Sequence, residues 1–180
     1  MKRILIISTM LCGLAGCSSE SSTPAGTTST PTTPDTTSTP TPVTNATLNG
    51  TWTARCLDGG APPWVKPSFE IGNGNITVKL TNYDDDTCTT VAMIEVLATA
   101  TYTLGADVTL DGSVAGITTA TQIDTTQITG ASPGEKSYEI YAILGDKLYV
   151  GDDSPPNDGT SPATRPTKLD ADLDAIYTKQ

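Results

Sequence analysis

The side chains with the most chemical potential in this chain are carboxylates in tight groups: Asp84, Asp85 and Asp86; Asp152 and Asp153; and Asp170, Asp172 and Asp174. Clustered carboxylates can hold calcium. However, neighbouring side chains on an extended strand point to opposite faces, and the ordered Asp-x-Asp-x-Asp-Gly spacing of an EF-hand loop is missing. These groups read as solvated turns, and no metal ligand is assigned. The chain has no histidine to serve as a base near neutral pH, no Gly-x-Ser-x-Gly elbow and no glycine loop built to cradle phosphate. No catalytic residue and no cofactor are assigned either, and the expectation is a protein that is not an enzyme. The four cysteines, Cys12, Cys17, Cys56 and Cys88, lie too far apart for a redox or metal pair of the Cys-x-x-Cys kind.

The remaining chemistry belongs to Cys17. It closes the run Leu14-Ala15-Gly16-Cys17, behind an apolar stretch from Ile4 to Leu14 and the basic pair Lys2 and Arg3. A charged start, a short apolar stretch and small residues before a cut are the parts of a secretory signal, and the stretch is too short to span a bilayer. The layout resembles a bacterial lipoprotein signal. The resemblance implies removal of residues 1–16 and acyl chains on the thiol and new amino group of Cys17, which would hold the protein at a membrane. Ser18, rather than an aspartate, follows the cysteine, which by the same resemblance favours the outer membrane, at its periplasmic face or at the cell surface. With Cys12 removed and Cys17 acylated, Cys56 and Cys88 form an even pair in an oxidising compartment and are expected to form a disulfide.

The elements that carry these groups fall into two parts. Residues 17–45 comprise the lipidated cysteine and a Ser/Thr/Pro tract punctuated by Pro24, Pro31, Pro34, Pro40 and Pro42. Such a composition buries too little apolar surface to offset the entropy of ordering, so it predicts a disordered tether. Fully stretched, its residues would reach roughly 85 Å, and as a coil about 30 Å. Residues 46–180 suit one domain with its own core. The chain carries 10 basic and 20 acidic residues; without Lys2 and Arg3 the net charge is near −12, which argues against nucleic acid as a partner.

Within the domain, residues 51–56 and 75–81 alternate apolar with polar, and both are rich in β-branched or aromatic residues. Further strands are expected over 91–97, 99–104, 106–110, 120–129, 137–144 and 147–151. Turns are expected at Gly72-Asn73-Gly74, Asp111-Gly112 and Gly145-Asp146, the last as a type II′ hairpin. Leu169, Leu173 and Ile176 allow one turn of helix or an extended edge segment, and 152–167 reads as a long loop, either a lid or disordered. Short strands at this spacing predict an all-β, antiparallel, barrel-like single domain, closed or half-closed over Trp52, Ile76, Val78, Leu80, Ile94, Tyr102, Ile140, Leu144 and Leu148.

Gly50-Thr51-Trp52 resembles the Gly-x-Trp opening of lipocalin-like barrels. The wider order of Gly50-Thr51-Trp52, Cys56, Phe69, Tyr83-Asp84-Asp85-Asp86-Thr87-Cys88 and Ala100-Thr101-Tyr102-Thr103-Leu104-Gly105 resembles a domain of the adenomatosis-polyposis-coli down-regulated family, whose barrel-like folds hold a lipid. The similarity covers about the first 60 residues of the domain, and the arginine-bearing segment that follows the family's first cysteine is absent, so Wnt antagonism is not carried over. Residues 147–151 and 165–167 resemble lipoproteins of marine bacteria. The resemblance implies a barrel that takes an apolar, lipid-like ligand, with Trp52, Trp64, Phe69, Tyr102, Tyr138 and Tyr141 as candidate lining. The alternative is a structural or interaction lipoprotein of the envelope that uses a strand edge or surface patch.

Overall fold

A computed structural model describes residues 39–59 and 63–180; the expected signal segment, Cys17 and the tether up to residue 38 lie outside the described residues. The described residues form a short helix α1 (Asn45–Leu48) and nine strands: β1 (Gly50–Thr53), β2 (Leu57–Asp58), β3 (Trp64–Gly72), β4 (Asn75–Tyr83), β5 (Val91–Val114), β6 (Ile117–Thr129), β7 (Lys136–Leu144), β8 (Lys147–Val150) and β9 (Ile176–Lys179). All pairings are antiparallel. Eight strands close into a barrel because β1 pairs with β3 on one side and with β9 on the other, while β2 is a side strand on β3. The single-domain, all-β barrel is thus present.

Tight turns set the registers. Asn73 and Gly74, and Ala115 and Gly116, take positive φ in consecutive positions, the geometry of a type I′ hairpin. At Gly145-Asp146 only the glycine does so, as a type II′ turn requires. The turn expected at Asp111-Gly112 is instead a register irregularity inside β5, between Thr109 and Val114; Gly112 absorbs it at φ 107° and the chain reverses only at Ala115-Gly116.

Alternation then sorts the side chains. Ala98, Ala100 and Tyr102 on β5 are buried, whereas Thr101 and Thr103 between and beyond them are exposed. The interior is filled by Leu48, Trp52, Phe69, Ile76, Val78, Ile123, Tyr141, Leu148 and Tyr177. Strand β7 differs in being covered on both faces. Tyr141 and Ile143 join the interior, while Ile140 and Ala142 join a second core with Leu110, Ile117, Ala120, Tyr149 and Leu169 under the long β5–β6 hairpin. Two-sided burial explains why this strand reads as an almost unbroken apolar run.

At one end α1 closes the barrel. Thr44 and Thr47 form a reciprocal capping box, Leu48 is fully buried, and the Trp52 indole Nε1 donates to the Leu48 carbonyl at 2.7 Å. Thr41 pairs with Ile143 beside it, so the chain joins the barrel at this end. Cys56 and Cys88 are disulfide-bonded with Cα atoms 5.8 Å apart, fastening the segment after β1 to the β4–β5 turn. In the chain-entropy account a bridge across 32 positions contributes about 3 to 4 kcal/mol.

Candidate functional site

Of the six aromatic side chains expected to line a ligand space, Trp52, Phe69, Tyr102 and Tyr141 share the barrel interior. Trp64 and Tyr138 do not join them. Trp64 pairs with Tyr83 where β3 and β4 run beyond the barrel, and Tyr138 stands on the outer face beneath the Arg165 guanidinium, 5.4 Å from its ring centre. The four inside pack against one another and their neighbours: Trp52 is 1% exposed, and the Phe69 and Tyr177 rings lie 4.5 Å apart. Two clefts lie on the outside, one of about 370 Å³ beside Gly50, Glu70 and Thr77, and one of about 270 Å³ beside Thr103, Asp124, Lys136 and Tyr138.

Polar groups nevertheless enter the interior. Among the described residues, Glu139 Oε1 and the Tyr102 and Tyr177 hydroxyls are buried with no hydrogen-bond partner. Burial pushes the Glu139 carboxyl up to about 8; the Asp153 charge adds to the shift, and Arg165 opposes it. Burial likewise raises the phenol of Tyr141, with the Glu139 and Tyr177 charges adding to it. At neutral pH Glu139 is therefore mostly a neutral acid. It lies against Gly151, where a Cβ would come within 3.0 Å of Oε2 and closer still to Pro166, so only glycine lets this loop approach.

The segment 152–167 over Glu139 is a built loop, not a disordered one. Tyr138 donates its amide to the Gly159 carbonyl at 2.9 Å, and Ser161 and Thr164 cap a 3-10 turn reciprocally. Arg165 clamps the loop to two strands, donating to the Ile123 and Glu139 carbonyls at 3.3 and 2.8 Å and to Asp124 Oδ1 at 2.6 Å. Neither Glu139 nor Arg165 is among the site residues expected from the sequence. The available signals were an acid at a core-alternating position of an apolar strand and the Ser161-Pro162-Ala163-Thr164 capping pattern.

The acidic turn before Cys88 spends its central carboxylate locally. Asp85 accepts amide bonds from Thr87, Thr89 and Thr90 at 3.0, 3.1 and 2.6 Å, and the Thr87 bonds above all hold its carboxyl far below the usual range.

The other distinctive feature is an arm formed by β3, β4 and β5 beyond the end of β6. Strand β6 pairs with β5 from Thr99 onward, whereas residues 91–97 pair only with β4, so their second edge meets no strand among the described residues. Val91, Met93, Ile94 and Val96 on this stretch, and Ile128 beside it, are each more than half exposed. Ile94, expected in the core, is 60% exposed: its strand has left the barrel, and no side chain among the described residues covers it. Pairing of Ile94 with Thr81 and of Val96 with Lys79 places both on the outer face of the arm. Apolar side chains on an unpaired edge form an adhesive surface, which soluble proteins usually blunt with Lys or Pro.

The fold and this site together define a small antiparallel barrel with a packed interior and an open-edged arm. No protein-family model matches the chain, and no curated protein matches it.

Proposed function

We propose that this chain is a non-catalytic lipoprotein of the bacterial envelope, anchored at the outer membrane through acyl chains on Cys17, whose barrel acts as a rigid interaction module. The observation that carries this reading is the unpaired edge of β5 with its exposed Val91, Met93, Ile94 and Val96. A packed interior supplies the rigidity such a module needs.

A second reading, an apolar ligand held inside the barrel, is favoured by the gathering of Trp52, Phe69, Tyr102 and Tyr141 in one interior. Those rings would have to part to admit it. Native mass spectrometry of protein purified without detergent separates the two readings. An interaction module should carry no stoichiometric apolar molecule inside the barrel, and fatty acids should leave its melting temperature unchanged. A retained lipid in one-to-one ratio beyond the Cys17 acyl chains would favour the carrier instead.

Among the described residues no helix is long and apolar enough to cross a membrane. Cys17→Ser is expected to abolish acylation and release the protein from the membrane fraction or leave it unprocessed, since one residue bears the whole anchor. A variant that is still cut to the mature length and still stays in the membrane fraction would remove the lipoprotein reading.

A further inference from the structure

We infer that the open edge of β5 pairs with the same edge of a second copy of this chain, antiparallel about a two-fold axis at Ile94; this rests on the interaction reading above. A strand edge leaves alternate amides and carbonyls pointing outward, ready to pair with another extended strand. Register irregularities at Val78/Lys79 and Asn82/Tyr83 bound the regular part of the edge to residues 93–96.

This short strand suits itself as a partner. Centred on Ile94, Ile94 meets Ile94, Met93 meets Glu95, and the Ile94 and Val96 side chains of both copies join in one apolar stripe on the outer face. Glu95 is the only charged residue between Val91 and Leu104. A register centred on Glu95 would set two carboxylates opposite each other, whereas the Ile94 register separates them by two positions along the strands. A one-residue slip between the strands would bring the apolar set of one copy against the opposite face of the other.

Size and charge point the same way. Five side chains more than half exposed amount to a few hundred Å² of apolar surface. Doubled across a two-fold axis, with the paired backbone added, this approaches the roughly 1,000 Å² a specific interface needs. The net charge near −12 left without Lys2 and Arg3 opposes casual contact between copies, yet Glu95 is the only charge on this edge. The pairing should therefore strengthen as salt screens the repulsion between the two acidic barrels, the reverse of what a basic peptide on the same edge would show.

The chain's own Ser/Thr/Pro tract is a poor occupant, because Pro24, Pro31 and Pro34 each lack an amide donor. It fits the dimer in another way. Antiparallel pairing sets the two barrels in opposite directions, so the points where Thr41 joins them, at the end away from the arm, lie far apart. Residues 18–40 stretched to about 70 Å let both copies attach to one membrane.

The test uses the acylated protein in its own membrane. Ile94→Cys should give a band of twice the monomer mass on a non-reducing gel, since paired strands hold opposite Cα atoms within disulfide range. Thr103→Cys, on the part of β5 already paired with β6, should give none. In the purified protein, Ile94→Asp should lower the dimer association constant by at least about tenfold. Equal cross-linking at positions 94 and 103 would mean random collision and overturn the inference. A photoreactive benzophenone side chain at position 94 separates the remaining outcomes. Attachment to a protein of another mass, with no self-linked band, overturns the second copy and leaves the interaction reading standing; attachment to nothing removes both.

Discussion

Trp52→Ala is expected to destabilise the barrel by about 3 to 5 kcal/mol, enough to leave a domain of this size largely unfolded near physiological temperature. The side chain is 1% exposed, contacts the closing helix through its indole bond to the Leu48 carbonyl, and has the Lys179 ammonium 5.0 Å from its ring centre. Removing it opens a cavity and orphans a buried carbonyl at once. Trp52→Phe separates the two effects: most of the packing remains, and the lost hydrogen bond alone should cost about 1 to 3 kcal/mol. Urea melts of the two variants measure both numbers, and an alanine variant as stable as the parent would mean that α1 and the interior are not coupled through this ring.

Glu139 should make the protein lose stability as pH rises, opposite to the usual behaviour of a surface carboxylate. Its folded carboxyl stands at about 8 against an ordinary 4.5, chiefly because it is buried. Between those values the folded state keeps a proton the unfolded chain has released, so stability is fully present below pH 4.5 and is lost as pH rises through 8. The loss is on the order of 5 kcal/mol, at about 1.4 kcal/mol per pH unit. Glu139→Gln should flatten stability across this window and exceed the parent above pH 8, measured by chemical unfolding at pH 5 and pH 8.5. Asp85 and Asp158, whose carboxyls are held low mainly by threonine bonds, act in the other direction and weaken the fold only as pH falls below about 4. A parent protein as stable at pH 8.5 as at pH 5 would show that Glu139 is ionised without cost.

Much of the fold was legible because alternation and turn chemistry are local. Residues 75–81 alternate and lie within β4, and Gly145 takes the positive φ its turn requires. The Cys56–Cys88 bond was expected because these two cysteines remain once the lipoprotein resemblance accounts for Cys12 and Cys17. What failed depends on contacts made elsewhere. Strand β3 was not marked, because Pro67 and the glycines and prolines before Trp64 hide its pattern, although nine residues of it pair with β4. Two expected strands, 99–104 and 106–110, form one strand with 91–97, because β5 passes through Gly105 and Gly112 with its pairing merely shifted. Ile94 looked like core because its neighbours are apolar; only the end point of β6 reveals that no described residue covers it. The candidate site was least legible. An aromatic side chain announces burial but not which face it takes, so Tyr138 and Tyr141, three positions apart, were grouped together although they stand on opposite sides of one strand.

The pairing of β1 with β9 bears on the order in which the molecule can fold. Thr53 lies beside Thr178, while every hairpin between them is formed by neighbours in sequence. Local hairpins close quickly, whereas a contact between such distant positions must bear the entropy of the whole intervening loop. A chain delivered from its amino end can zip β3 through β8 into a curved, open sheet, but the ring cannot shut until residues 176–179 arrive. Until then β1 has only β3 beside it and β8 only β7, and two edges remain exposed to other chains. The barrel is thus most vulnerable to aggregation just before its last strand is released, and a chaperone serving it would have to guard the β1 and β8 edges during that interval.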